Sequence, residues 1–322
     1  MIVDIHAHYF PMGYMDLLMR IGGKSLPEAA RPLTARPGGR PHDPNDIQVR
    51  LERMDDAGVQ MQVLSPAASP PYAEKEADAV AAARLINDAY AELAAKHPGR
   101  FNAVVSLPLP HIDASLREME RGLDQLGMLG VSMTCSCFDR STAEAEFEPL
   151  YAEMNRRRTV LNYHPIQNGI CSPFLNDYGY TVVVGASLED TMIALHLIAR
   201  RMPSRFPDIK YVIPHLGGML SMQLQRLDNQ GPRTHPNLPE PFSVTARRFY
   251  YDTVGHGSPA ALHCAWMGFG ADRIVAGSDY PVLMAWETYR QTFHYVYDCN
   301  IPKADADKIL HHNSQIVLGL PH

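Results

Sequence analysis

The sequence predicts an α/β chain folded as a (β/α)8 TIM barrel, and three observations carry that expectation. Eight short apolar, β-rich runs recur along the 322 residues. Stretches with a helical 3.6-residue period separate them, which is the alternation a parallel sheet requires. No Gly-rich turn follows the first run, as the common open doubly wound sheet would often have. The length suits one large α/β unit, so residues 1–322 are read as a single domain.

The runs and their partners follow in order. IVDIH (2–6) opens the barrel and is followed by a long connection at 21–45. DIQVRLERMDDAG (46–58) has helical spacing and leads into VQMQVLS (59–65). The alanine-rich stretch at 74–97 is a helix before FNAVVSLPL (101–109), and DASLREMERGLDQLG (113–127) is one before GVSMTCS (130–136). FEPLYAEMNRRR (147–158) precedes TVLNYH (159–164), and LEDTMIALHLIARR (188–201) precedes KYVIPH (210–215). FYYDT (249–253) and RIVAGSD (273–279) complete the eight, and AWETYRQTFHYVYD (285–298) reads as a further helix. Long inserted loops are expected after strands 1, 5 and 6, at 21–45, 166–187 and the proline-rich 229–247; insertions of this length commonly serve as lids or subunit contacts. GGKS (22–25) is not a phosphate-binding loop, because Leu18 stands where the leading glycine is required and no strand precedes it.

Composition excludes several function classes. Apolar residues make up 46% and charged residues 20%, ordinary for a globular protein, and the net charge is −6 with no block of like charges. That is neither a nucleic-acid footprint nor a polybasic membrane anchor. No run approaches the roughly 18 apolar residues of a membrane span, and the first residues lack a signal-peptide pattern, so a cytoplasmic location is expected. Five scattered cysteines do not make a disulfide framework. The spacing of Cys135 and Cys137 is wrong for a zinc knuckle, so both are expected as buried thiols.

Barrels of this kind carry their chemistry on the loops at the C-terminal ends of the strands. Strand 1 ends in His6 and His8, strand 5 in His164, strand 6 in His215 and strand 8 in Asp279. Residues two apart on a strand share a face, so His6 and His8 can both reach the barrel mouth. Five imidazole or carboxylate groups then converge on one rim. Three or four N/O ligands with an open position form the pattern of a catalytic metal site.

The motifs DIHAH at the start, NYHP (162–165), PHLGG (214–218) and GSDYP (277–281) resemble the amidohydrolase superfamily. The likeness is nearest to the amidohydrolase-2 group, which contains aminocarboxymuconate-semialdehyde decarboxylase and γ-resorcylate decarboxylase. It extends through MDDAGVQMQVLSP (54–66), RFPDIKYVIPHLGG (205–218), YYDTVGHGSP (250–259) and ILHHNSQIVLGL (309–320). The resemblance implies that His6, His8, His164 and Asp279 bind one divalent ion, Zn²⁺ in the first place with Mn²⁺ as the other candidate. It leaves His215 unligated and catalytic, with Asp279 sharing in proton transfer. No lysine ends strand 4, where binuclear relatives carry a carboxylated one, so one metal is expected. Histidine at position 6, where some aromatic decarboxylases carry glutamate, matches the aminocarboxymuconate type of site. The resemblance also places Arg226 as a carboxylate-gripping residue supplied across a dimer interface, with Arg36 or Arg40 in the first long loop as a second. His256 after strand 7 is a further substrate-binding candidate. The tryptophan that the aminocarboxymuconate enzyme uses after strand 5 is absent, and Tyr178 and Tyr180 occupy that region.

The chemistry expected is non-oxidative decarboxylation of an unsaturated or aromatic acid with a hydroxyl, oxo or amino group beside its carboxylate. A divalent ion polarises a substrate oxygen and acidifies water, and His215 is suited to take or hold a proton. Arg226 can grip a carboxylate bidentately, as lysine cannot. The alternative is a hydrolase or hydratase acting on a C–C, ester, lactone or amide bond with the same ion; a third reading is a binding protein that retains the fold. The expected partners are a small-molecule carboxylate and further copies of the chain, as a homodimer or homotetramer.

Overall fold

The computed structural model describes residues 1–21, 46–66 and 68–321. All eight expected runs are strands: β1 (Ile2–His8), β2 (Val59–Ser65), β3 (Phe101–Ser106), β4 (Gly130–Thr134), β5 (Val160–His164), β6 (Lys210–Ile213), β7 (Tyr250–Asp252) and β8 (Ile274–Val275). They pair in chain order, each pair parallel. The chain after β8 returns alongside β1: Ile5 N–H donates to the Ala276 carbonyl at 2.9 Å and His8 N–H to the Tyr280 carbonyl at 2.6 Å. A parallel bridge between Ala7 and Tyr280 completes the closure. This is the (β/α)8 barrel.

Among the described residues, ten helices of six or more residues cover the strands or close the ends of the barrel: α1 (Met12–Arg20), α2 (Asp46–Ala57), α3 (Glu76–Lys96), α4 (Ile112–Glu120), α5 (Glu148–Arg157), α6 (Gly185–Ala199), α7 (Leu220–Thr234), α8 (Pro259–Phe269), α9 (Lys303–His311) and α10 (Asn313–Leu318). The amphipathic pattern explains their packing. On α3, Ala79, Ala82, Ala83, Ile86, Tyr90 and Leu93 form the buried stripe, while Glu76 and Asp78 sit at the positive end of the helix dipole and Lys96 at the negative end. The α8 start is set by Ser258, whose hydroxyl accepts from Ala261 N–H, with Pro259 in the first turn.

Two apolar layers result. Inside the barrel, Val3, Val63, Val104, Val160, Val212 and Val275 meet Ile5 and Met61, and Val317 and Leu318 of α10 join them. Lys210, the first residue of β6, donates to the Val317 carbonyl at 2.8 Å, which places α10 at the N-terminal ends of the strands. The larger layer lies between strands and helices. Burying each valine in the inner layer contributes roughly 1.5 kcal/mol or more. That packed interior leaves the opposite end of the barrel for polar groups.

The structure departs from the sequence expectations in three places. Residues 285–298 are not one helix: Val282–Ala285 and Tyr295–Asp298 are 3₁₀ turns, and only Gln291–His294 is α-helical. The break lies at a reciprocal hydrogen-bonded pair, Thr288 and Gln291, which has the spacing of a capping box. Gln291 Oε1 accepts from the Thr288 N–H and hydroxyl, and Gln291 N–H donates back to the Thr288 hydroxyl. The 229–247 insertion is partly regular, since α7 runs to Thr234 and Phe242–Ala246 forms another short helix. The 166–187 insertion likewise contains the helix Pro173–Asn176 and the start of α6. Most of the first long connection, with GGKS, Arg36 and Arg40, lies outside the described residues. Cys135 and Cys137 are buried free thiols.

Candidate metal centre

His6, His8, His164 and Asp279 come together at the C-terminal mouth of the barrel, all buried, with one donor atom from each lying within 4.8 Å of the others. His6 Nε2 stands 3.1 Å from His8 Nε2, and Asp279 Oδ1 lies 2.8 Å from His8 Nε2 and 3.4 Å from His6 Nε2. Every imidazole in the cluster has its other nitrogen tied outward. His6 Nδ1 faces Asp252 Oδ2 at 2.6 Å, His8 Nδ1 the Ser65 carbonyl at 3.3 Å, and His164 Nδ1 the Pro165 carbonyl at 2.7 Å. Each of these acceptors takes an N–H, so each Nε2 is left with its lone pair toward the centre. His164 Nε2 is buried with no hydrogen-bond partner among the described residues. A buried acceptor of that kind carries a desolvation cost unless something coordinates it. Three imidazole nitrogens and one carboxylate oxygen, so oriented, fit a single divalent ion.

The electrostatics agree. Burial works against charge on His6, but the Asp252 and Asp279 carboxylates outweigh it and lift its pKa to about 9. His164 is driven well below the ordinary imidazole range by burial and then by the neighbouring His8 and His6 rings. Burial alone would raise Asp279, yet the neighbouring His215, His6 and His8 rings hold it well below the usual carboxylate range. Without an ion the carboxylates draw a proton into the cluster; a divalent cation replaces that proton.

His215 follows β6 and stands beside the cluster. Its Nδ1 is 2.8 Å from Asp190 Oδ2, and its Nε2 is 3.9 Å from Asp279 Oδ2. Burial opposes its protonation, but Asp190 and Asp279 raise its proton affinity well above that of free imidazole. Asp252 links the two histidines: its Oδ2 takes His6 Nδ1, and its Oδ1 accepts the His215 backbone N–H at 2.8 Å. The backbone is strained where these groups emerge. His215, Leu216 and Asp279 have φ of 52°, 55° and 54°, a left-handed conformation costing a non-glycine residue roughly 1 kcal/mol or more.

A buried polar layer supports the rim from below. Asp4 Oδ1 accepts the backbone N–H groups of His6 and Ser278, and its Oδ2 accepts from the Ser278 and Tyr289 hydroxyls. Arg50 of α2, wholly buried, donates to the His8 carbonyl at 2.8 Å and lies over the Tyr280 ring. Gly277 lets β1 and β7 approach, since a Cβ there would sit 2.9 Å from Asp252 Cβ and 3.0 Å from His6 Cβ. Sequence reasoning missed Asp252, Asp190, Asp4 and Arg50. Asp252 ends β7 and could have been found by the strand-end rule that found Asp279. Asp190 sits within a helical pattern, where nothing marks it.

The substrate-side candidates are not gathered in this way. Arg226 is exposed on α7 and makes no hydrogen bond or ion pair among the described residues. His256 follows β7 beside the Trp286 ring, near enough for the charges of Asp279 and His215 to act on it. Tyr178 and Tyr180 are exposed beyond β5.

Comparison with known proteins finds relatives along most of the chain. γ-Resorcylate decarboxylase of Polaromonas sp. (strain JS666) is 28% identical over 296 residues, spanning 86% of this chain and 88% of that protein. 2-Amino-3-carboxymuconate-6-semialdehyde decarboxylase of Dictyostelium discoideum is 24% identical over 294 residues, spanning 87% and 81%. A solved dihydroxybenzoic acid decarboxylase from Polaromonas sp. JS666, with bound manganese and the inhibitor 2-nitroresorcinol, superposes with a TM-score of 0.80 at 24% identity over 99% of this chain and 96% of that one. The amidohydrolase family model matches residues 3–320, and the chain belongs to the amidohydrolase family.

Proposed function

We propose that this amidohydrolase-family chain is a metal-dependent, non-oxidative decarboxylase of an aromatic or unsaturated carboxylic acid bearing a hydroxyl, oxo or amino group beside the carboxylate. The observation that carries the reading is the convergence of three outward-tied imidazoles and Asp279 on one point, with His215 standing next to Asp279 and outside the ligand set. The two curated relatives reported above, each aligned over most of both chains, are decarboxylases of such acids and direct the choice of reaction.

His6, His8, His164 and Asp279 would hold one ion, Zn²⁺ or Mn²⁺, both of which accept this donor set. When bound, that ion supplies Lewis-acid polarisation of a substrate oxygen. Loss of CO₂ without a redox cofactor needs a proton delivered to the carbon that gives up its carboxyl group. His215 holds a proton readily because Asp190 fixes its Nδ1 and stabilises the imidazolium. Its Nε2 stands 3.9 Å from Asp279 Oδ2, so a substrate atom held between them is within reach of both. The buried walls of the site exclude water and strengthen these interactions. His256 is assigned to the substrate side of the mouth. Arg226, exposed and unengaged, is assigned to a carboxylate in the neighbouring subunit of a homodimer or homotetramer, and Arg40 to the first long loop as a second carboxylate contact. Residues 1–322 act as one catalytic domain.

The test is release of CO₂ from a panel of hydroxybenzoates and carboxymuconate-type acids, with metal supplied and with metal chelated. Release that depends on metal supports the proposal. Silence across the panel, with hydrolysis of an ester, lactone or amide instead, overturns it.

A further inference from the structure

All four histidines of the site have a carboxylate or carbonyl on Nδ1, but the groups differ in strength, and His8 has the Ser65 carbonyl at 3.3 Å. His6 has Asp252 and His215 has Asp190, each a carboxylate in direct contact. His164 has only the Pro165 carbonyl. That carbonyl belongs to the same peptide group as the Ile166 N–H, and the Ile166 N–H donates to Glu189 Oε2 at 2.7 Å. A trans peptide is planar, with its C=O and N–H pointing in opposite directions. One rigid unit therefore joins Glu189 on one side to His164 Nδ1–H, 2.7 Å away, on the other. We propose that Glu189 is the carboxylate partner of His164, relayed through the Pro165–Ile166 peptide, and is thus a positioning residue of the metal site. This rests on the reading of the four-residue cluster as a metal centre.

The surroundings of Glu189 fit that task. It is buried on α6, and its two oxygens accept four successive backbone N–H groups: Ile166 and Gln167 on Oε2, Asn168 and Gly169 on Oε1. Four donors match an ionised carboxylate, which only accepts. A hydrogen-bonded chain running from carboxylate through peptide to imidazole polarises each link, so the far nitrogen, His164 Nε2, becomes the better donor to a cation. The neighbours of Glu189 serve the same rim. Asp190 holds His215 Nδ1, and the Thr191 hydroxyl accepts the Met219 N–H at 2.8 Å in the loop after β6. Three consecutive residues of α6 thus hold three different pieces of the site.

Glu189→Gln is the direct test, because it removes the charge and sets an NH₂ group against two N–H donors. Two measurements are made. Mn²⁺ affinity is read from the electron paramagnetic resonance of the free ion, and the ring ¹⁵N shifts of His164 are read in metal-free, histidine-labelled protein. The proposal expects Mn²⁺ to bind about tenfold more weakly or worse, and the His164 ring signals to move while those of His8 stay. A packing role alone would not single out one ring. An affinity within about twofold of wild type, or unmoved His164 signals, overturns the proposal. Should Glu189→Gln not give a cooperative melt, Glu189→Asp, whose carboxylate is withdrawn by one methylene, is judged by the same two readouts and limits. Failure of the wild-type protein to bind Mn²⁺ would count against the metal centre itself; the ring shifts, taken without metal, still decide the relay.

Discussion

Asp279 turns its two oxygens differently: Oδ1 faces His8 and His6 within the proposed ligand set, and Oδ2 faces His215 outside it. The two functions are separable by substitution. His215→Asn removes the proton carrier and leaves the four donors intact, so kcat/KM is expected to fall by about 10²–10⁴ while Mn²⁺ binding is retained. Asp279→Asn should lose both. Asp190→Asn keeps a hydrogen bond to His215 but removes the charge that favours its protonated form, and a smaller loss of kcat than for His215→Asn is expected, read from steady-state kinetics. If His215→Asn retains wild-type turnover, the assignment fails. At this scale the proposed ligand cluster was legible because several histidines and an aspartate end strands that share one rim. Asp190 and Glu189 were not, since a carboxylate within an amphipathic helix reads as a solvated residue until the fold buries it.

Elements hold the rim through close backbone contacts that leave no room for an added side chain. Gly218, in the loop after β6, has φ of 61°, and a Cβ there would sit 2.1 Å from the Ser187 carbonyl at the start of α6. Gly218→Ala is therefore expected to cost about 1–3 kcal/mol in urea unfolding and to lower kcat, because the shift passes to His215 three residues earlier. A second element contact should show in pH dependence. Glu148 of α5 is paired with Arg205 and Arg200, and those hydrogen bonds depress its pKa from 4.5 to about 2. A carboxylate depressed in the folded state stabilises above its unfolded pKa and loses that contribution as pH falls through the folded one. Glu148→Gln should thus be less stable than wild type at neutral pH, by no more than about 1 kcal/mol at this partly exposed site. The difference should vanish between about pH 4.5 and pH 2, as read by melting temperature. A difference that persists at pH 2 would show that packing, not charge, is responsible. The strands were legible as β-branched apolar runs, and α3 as an alanine-rich amphipathic stripe. The break at Thr288 was also written in the sequence as Thr-x-x-Gln, but a helical period running across it concealed the new start.

At the scale of the molecule, strand order and closure turn four separated segments into one site. His6 and His8 lie near the first residue, Asp279 more than 270 residues later, and they meet because the chain after β8 hydrogen-bonds back to β1. The barrel register made that meeting legible in advance. The floor formed by α10 was not, since its residues are chosen to fill space between strand ends. Metal should stabilise the whole fold by mass action, because the donors converge only in the folded state. Chelation is expected to lower the melting temperature, and Mn²⁺ at about one hundred times its dissociation constant should restore about 2.7 kcal/mol. A melting temperature indifferent to both would count against the metal centre. The central claim, a proton placed on the carbon that loses CO₂ with metal required, is tested most directly by nuclear magnetic resonance of the hydroxybenzoate and carboxymuconate-type panel incubated in D₂O. The account predicts a product carrying deuterium at the vacated carbon, in step with CO₂ release and only when metal is present. A panel whose carboxyl groups all survive, beside hydrolysis of an ester, lactone or amide, would contradict it.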